Sequence, residues 1–361
     1  MMKSCSNGLV ISLSIWGDIF LYIFLDSFFF CIFAKNFEWS NMLKGLKKRV
    51  FKKDENFGII LYESNVFDFD NIQNMNVVLK FDIDSLLWKW KPLLTQADPF
   101  LFVKDDVLYL FFEKLYAGIK EKGHLAMVKT TDLRNWSDPV DVLTLPCHLS
   151  FPFVFEDSGR VYMIPESNEL NSVDLYQAND DLTGFTYVRN LLKQPRTEDI
   201  CFNYCDSHIF KKDGVYYLFT SVSYRWTYAL ELYYTDDLLN GQFKKHPASP
   251  VCQGNEYGRC GGSVIHLDDD CYRITQDCHA RYGENVSVMK IKKLDKNSYD
   301  EELHKHNIFK IEEGVYRDGV HQLNIVHYRN RYIYATDFQH MGWSWFQCAS
   351  KMLRHVFGSD F

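Results

Sequence analysis

The chain has 361 residues, 47% of them hydrophobic and 16% aromatic, and a formal net charge of -7. That is ample apolar material for a large core, and it lacks the basic excess of a nucleic-acid binder, so no nucleic-acid partner is expected. The ten cysteines contain no CxxC pair, which argues against a zinc knuckle, and in a chain this long they read as free thiols of a reducing compartment.

Gly8 to Ala34 is strongly apolar and long enough to span a bilayer, although Asp18 and Asp26 interrupt it. No small-residue cleavage site succeeds it. Residues 1–41 are therefore expected to be a membrane anchor, or a stretch ahead of a translation start at Met42. Residues 42–56 form a basic linker with Lys44, Lys47, Lys48, Arg49, Lys52 and Lys53. By the positive-inside rule these charges keep the C-terminal side of the chain in the cytoplasm, with contact to the inner membrane surface.

Five later segments share one pattern. They run from Asp98, Phe151, Asp206, Gly261 and His321, each through a short apolar strand, a polar turn and a second strand entered at a tyrosine. Those tyrosines are 109, 162, 217, 272 and 332, at intervals of 53, 55, 55 and 60. One four-stranded blade per interval gives an all-β, five-bladed β-propeller over residues 57–345, with a tail at 346–361. The runs from Asp132, Asp181 and Asp237, closed by Trp136, Phe185 and Phe243, read as turns between outer strands. An incomplete last blade would leave a raw edge, so the strand-like Phe57–Tyr62 is expected to complete it.

In a hairpin, the start of the first strand and the end of the second share one edge. The repeat's first position and the fourth after each tyrosine therefore meet at one mouth of the channel. The set holds Asp98, Asp206, His321, Glu113 and Glu166, with Asp277 and Asp337 beside it. Carboxylates facing each other can divide labour, one ionised as base or nucleophile and one protonated as acid. Glycosyl chemistry needs such a pair. No Walker loop, dinucleotide fingerprint, HExxH or Gly-x-Ser-x-Gly elbow occurs.

Ala97-Asp98-Pro99-Phe100 and Thr131 to Trp136 resemble the first blade of glycoside hydrolase family 43. Four segments resemble the propeller domain at the N-terminus of plant glucosamine inositolphosphorylceramide transferases, which has relatives in bacterial polysaccharide synthesis. They are Ser150–Phe155, Met163–Ser167, Arg259–Gly262 with Gln276–Cys278, and Gly319–Asn324. The resemblance implies a carbohydrate-active protein of surface-glycan synthesis. Asp98 matches the family 43 base, whereas Phe151 stands where a second aspartate would begin its strand. Glu166 is then the proton donor and Asp206 an electrostatic partner. Substrate contacts are expected from Glu113, Arg259 (on an anionic group), Asp277, Tyr282, His321 and Asn324. His321 resembles a histidine that helps hold calcium in some members, but one histidine without oxygen ligands makes no calcium set, and no metal or other cofactor is expected. The partner is a carbohydrate or glycolipid. The alternative is a non-catalytic module that presents an acceptor to a separate glycosyltransferase, with Tyr224, Trp226 and Tyr282 as aromatic platforms.

Overall fold

The computed structural model describes residues 54–82, 93–116, 121–194, 202–224, 227–311 and 314–342. The expected segments 1–41 and 346–361, most of the linker, Trp226 and the side chain of Tyr224 lie outside the described residues. Among the described residues there is no α-helix, only strands and three short 3-10 turns.

The first two strands are β1 (Asp54–Ser64) and β2 (Asn76–Phe81). Four antiparallel groups come next in chain order. The first holds β3 (Leu93–Lys104), β4 (Val107–Tyr116), β5 (His124–Thr130) and β6 (Val140–Leu143). The second holds β7 (Ser150–Asp157), β8 (Arg160–Glu166), β9 (Ser172–Ala178) and β10 (Phe185–Lys193). The third holds β11 (Phe202–Lys212), β12 (Val215–Tyr224), β13 (Thr227–Thr235), β14 (Lys244–Lys245) and β15 (Cys252–Gln253). The fourth holds β16 (Arg259–Cys260), β17 (Ile265–Leu267), β18 (Asp270–Asp277), β19 (Asn285–Leu294) and β20 (Tyr299–Lys305). The last strands, β21 (Leu323–Tyr328) and β22 (Arg331–Gly342), do not stand alone. β22 pairs with β1, and β1 with β2, so the two ends of the propeller build a fifth group together. The expectation for Phe57–Tyr62 is met. Gly58 is required there, because a Cβ would lie 2.3 Å from the Phe338 ring and 2.5 Å from the Phe81 carbonyl oxygen.

All five expected hairpins form, with Tyr109, Tyr162, Tyr217, Tyr272 and Tyr332 in their second strands. Four turn on two residues that both have positive φ: Asp105-Asp106, Ser158-Gly159, Asp213-Gly214 and Arg329-Asn330. That turn matches the right-handed twist of the flanking strands. The outer turns also form as expected. Asp132 accepts the Arg134 and Asn135 N–H groups, and Asp237 those of Leu239 and Asn240. Leu182, Phe185, Leu238 and Phe243 pack back into the core.

The inner strands carry a feature that the repeat does not reveal. In β3, β7 and β11 the ladder skips a residue, between Ala97 and Phe100, Ser150 and Phe153, and Cys205 and His208. Each bulge carries a left-handed residue: Asp98 (φ 52°), Phe151 (46°) and Asp206 (52°). A bulge removes an N–H from the ladder, and a buried N–H needs an acceptor. The preceding group supplies it. The Asp98 N–H donates to Asp337 Oδ2 (3.3 Å), Phe151 N–H to Asp98 Oδ2 (2.9 Å) and Asp206 N–H to Glu166 Oε2 (3.0 Å). Between the third and fourth groups the Cys260 N–H donates to Ser221 Oγ (2.9 Å). Ser221→Ala strands that buried donor, so urea denaturation should show a loss of about 1–3 kcal/mol. A loss below about 0.3 kcal/mol would mean that water takes the hydroxyl's place.

Candidate functional site

Two of the bulges turn their acids, Asp98 and Asp206, into one cavity of about 320 Å³, the small end of the range for small-molecule sites, while Phe151 packs into the core. Every group contributes to its wall: Phe57 from the fifth, Asp98 from the first, Glu166 from the second, Asp206 from the third and Arg259 from the fourth. Of the nine expected site residues, Asp98, Glu113, Glu166, Asp206, Arg259, Tyr282 and His321 line it. Asp277 and Asn324 stand outside. Asp277 Oδ1 accepts the His279 N–H (2.8 Å) and holds the turn before β19. Asn324 Oδ1 accepts the Leu101 N–H (2.9 Å) and ties the fifth group to the first. The polar ends of both are taken up by the scaffold.

On one side of the cavity, His321 lies between two carboxylates. Its Nε2 is 3.3 Å from Asp98 Oδ1 and its Nδ1 is 2.5 Å from Asp337 Oδ2. The Nδ1 contact is an ion contact rather than an aligned hydrogen bond. Phe57 stacks on the ring at 4.6 Å, and Tyr282 meets its edge at 5.4 Å. Burial disfavours a charge on His321, but Asp337 and Asp98 outweigh it and push the ring up to about 9. Burial raises Asp98 to about 7, with the His321 charge restraining the rise and Glu113, Asp337 and Asp206 adding to it. This set does not fit calcium. Both Asp337 oxygens and Asp98 Oδ2 already accept backbone N–H groups, and the imidazole faces a carboxylate with each nitrogen. Calcium needs six to eight oxygen ligands.

On the other side, Asp206 is clamped by Arg259, with Nε 2.5 Å from Oδ2 and Nη2 3.4 Å from Oδ1. The guanidinium lies over Tyr228 at 5.2 Å and Tyr282 at 4.9 Å. Arg259 is thus committed to Asp206, which corrects its expected role as an anion clamp. Glu166 is half-buried beside Asp206. Desolvation first, and the Asp206 charge second, hold its carboxyl well above the usual range.

Among the wall residues that the sequence did not lead one to expect are Tyr228 and His148. His148 Nε2 is 3.2 Å from Glu113 Oε1, and its Nδ1 accepts the Gly123 N–H (3.0 Å). Burial opposes a charge on His148 and Glu113 favours it, leaving its affinity for a proton above the ordinary value. Since Nδ1 accepts the Gly123 N–H, the neutral ring carries its proton on Nε2, which donates to Glu113.

An all-β fold whose sheets all contribute to one carboxylate-lined cavity is that of a β-propeller. Among solved structures the chain is similar to an α-L-arabinofuranosidase of Podospora anserina (TM-score 0.52, 11% identity, 67% of this chain and 90% of that one). It is also similar to the catalytic domain of a Coprinopsis cinerea family 62 α-L-arabinofuranosidase (0.50, 10%, 67% and 90%). At such identities the likeness shows the fold alone. Residues 90–337 match the model of the glucosamine inositolphosphorylceramide transferase 1 N-terminal family, and the chain belongs to that family. Curated relatives are the glucosamine inositolphosphorylceramide transferases 1 of Arabidopsis thaliana (35% identical over 212 residues, 57% of this chain) and Oryza sativa subsp. japonica (32% over 212 residues, 57%). The matched region spans about a quarter of those relatives, 26% and 27% of their lengths.

Proposed function

We propose that the cavity takes a sugar residue of a glycan or glycolipid and acts on its glycosidic bond. Glu166 protonates the departing oxygen, and Asp98 is base or nucleophile. One observation carries this reading: two carboxyls of one small cavity have opposite kinds of neighbour. Glu166 sits beside the Asp206 carboxylate, which favours its protonated form. Burial raises Asp98 as well, to about 7, but the His321 imidazole 3.3 Å away restrains that rise. Environments that separate two carboxyls in this way are what acid–base work on a glycosidic bond needs. Arg259 clamps Asp206 in place beside Glu166. The relatives' name supports a glycolipid context, and the basic stretch before β1 supports a place at the cytoplasmic membrane surface.

A second reading has its own support. Asp98 and Glu166 each already accept a backbone N–H from the next group, as carboxylates of a pure recognition module would. That module would position an acceptor for a separate glycosyltransferase. The two readings part on turnover of aryl-glycosides and sugar donors by the full chain and by its Asp98→Asn and Glu166→Gln variants. Both amides keep an oxygen for the bulge N–H, so the fold is spared. Enzyme action predicts a loss of about a hundredfold or more in each variant. Saturable glycan binding with no turnover, unchanged in both variants, leaves recognition alone.

A further inference from the structure

A second cavity, of about 740 Å³, lies at the other end of β1. Glu55 and Phe57 line the carboxylate cavity, whereas Glu63 lines this one, where the fifth group meets the outer turn of the first. Its ionic side chains are Arg134, Arg329 and Arg331 against Glu63 and Asp132. Both acids are already engaged. Glu63 pairs with Arg331 through Oε2 and accepts the Asn76 side-chain amide on Oε1 (2.7 Å). Asp132 Oδ1 accepts the Arg134 and Asn135 N–H groups, and Oδ2 the Asn135 side-chain amide (2.7 Å). Those bonds, the Asn135 N–H foremost, hold its carboxyl well below the usual range. Asp105 and Asp106 stand in the neighbouring turn, but neither lines the cavity. Arg134 and Arg329 thus have no carboxylate partner among the described residues. Arg329 is nevertheless held in place. Its guanidinium lies over the Tyr328 ring at 5.3 Å, with Nη2 3.5 Å from the Asp106 carbonyl oxygen. Tyr328 is fixed in turn, its hydroxyl 2.9 Å from that same oxygen and 3.0 Å from the Thr131 carbonyl oxygen. Arg329 also has a left-handed backbone (φ 47°), at a turn position where the matching hairpins carry Asp105, Ser158 and Asp213. Nothing in the turn itself favours an arginine there.

We propose that this second cavity is a ligand site for an oxyanion, the carboxylate or phosphate ester of a compact polar molecule or chain end, held by Arg134 and Arg329. The proposal is independent of the carbohydrate reading above, which concerns the other cavity. A stacked guanidinium keeps its planar fork of N–H donors, and that fork matches a carboxylate or phosphate through two parallel charge-assisted bonds. A recess lined by one sign of uncompensated charge also concentrates ions of the other sign. The wall of Val77 and Val78 offers apolar contact to the body of the ligand. A neutral molecule of the same shape gains that contact and not the charge-assisted bonds.

The test is titration of the full chain in low salt (about 50 mM) with glucose, glucuronate and glucose 6-phosphate, monitored by NMR chemical shifts. At least one of the two anions is expected to bind with a dissociation constant about tenfold or more below that of glucose. Arg134→Gln and Arg329→Gly should each weaken that anion by about tenfold, and added salt should weaken it too. Glycine adopts the left-handed turn without strain, so a loss in Arg329→Gly reports the missing guanidinium rather than a damaged hairpin. Binding of glucuronate alone assigns the carboxylate source, and of glucose 6-phosphate alone the phosphate source. Equal affinity for all three ligands, or failure of both anions to bind, overturns the proposal. Anion binding that is unchanged in both variants places the site elsewhere and overturns the roles of Arg134 and Arg329. None of these results bears on turnover at the carboxylate cavity, which the Asp98→Asn and Glu166→Gln variants test separately.

Discussion

Arg273→Met is expected to cost about 3–5 kcal/mol, the largest loss of any single side chain outside the apolar core. Arg273 in β18 has no exposed surface and pairs across the fourth group with Glu301 in β20. Its Nε lies 2.8 Å from Glu301 Oε2, its Nη2 2.6 Å from Oε1, and its Nη1 donates to the Tyr257 carbonyl (3.1 Å). The Tyr299 hydroxyl also donates to Glu301 (2.6 Å). Truncating the arginine leaves a carboxylate in a dry site with one neutral donor, and the penalty is the stranded charge more than the lost attraction. The double change Arg273→Met with Glu301→Leu removes both charges and should regain most of the loss. Urea midpoints at constant m-value measure this. If the single variant loses less than about 1 kcal/mol, or the double variant is no better than the single, the pair is not the dry, mutually dependent unit described.

The second large effect is on acid stability. His208 in β11 is fully buried, stacked on Phe219 at 5.3 Å and edge-on to Phe153, and neither ring nitrogen has a hydrogen-bond partner among the described residues. Desolvation, with the Arg273 charge second, lowers it to about 3 from an ordinary 6.5. Between those values the unfolded chain binds a proton that the folded chain refuses. Stability therefore falls as pH drops below 6.5, by about 2 kcal/mol at pH 5 from this residue alone. His208→Leu, close in size and unable to titrate, should flatten that limb of the stability–pH curve. His321 acts in the opposite sense. Raised to about 9, it contributes stability that is complete below 6.5 and lost as pH rises through 9. Thermal midpoints of both proteins from pH 4 to 8 decide the matter. Parallel curves for native and His208→Leu chains would mean that the folded protein admits a proton to this ring.

The repeat was legible because hairpin chemistry is local. A polar turn and a tyrosine-led strand announce themselves within about fifteen residues, and the closure by β1 results from the need to cover an edge. The convergence of Asp98, Glu113, Glu166 and Asp206 was legible too, because strand ends of equal phase must meet. What the pattern could not reveal is which partner each side chain takes. Phe151 occupies the same left-handed position as Asp98 and Asp206, so the position demands a bulge rather than an acid. The carboxylates serve that bulge in the next group, a relation between residues 40, 53 and, across the seam, 239 apart. Arg259 reads as an anion site until Asp206 is placed against it. His148 has no counterpart at its phase in the other repeats, and its tautomer depends on one N–H from Gly123.

The pairing of β1 with β22 also sets an order of events during synthesis. Glu63 and Arg331, which meet at the seam, are 268 residues apart in sequence. At about 5–20 residues per second, the ribosome takes roughly 13 to 54 s to deliver the later partner. For that interval β1 and β2 carry an unsatisfied edge on a nascent chain, open to any passing strand. The outer strand β2 (Asn76–Phe81) covers one flank of β1 while the other waits. A circular permutant that begins at β21 would shorten the wait between Arg331 and Glu63 from 268 residues to about 93, and should yield more soluble protein in a cell without chaperone support.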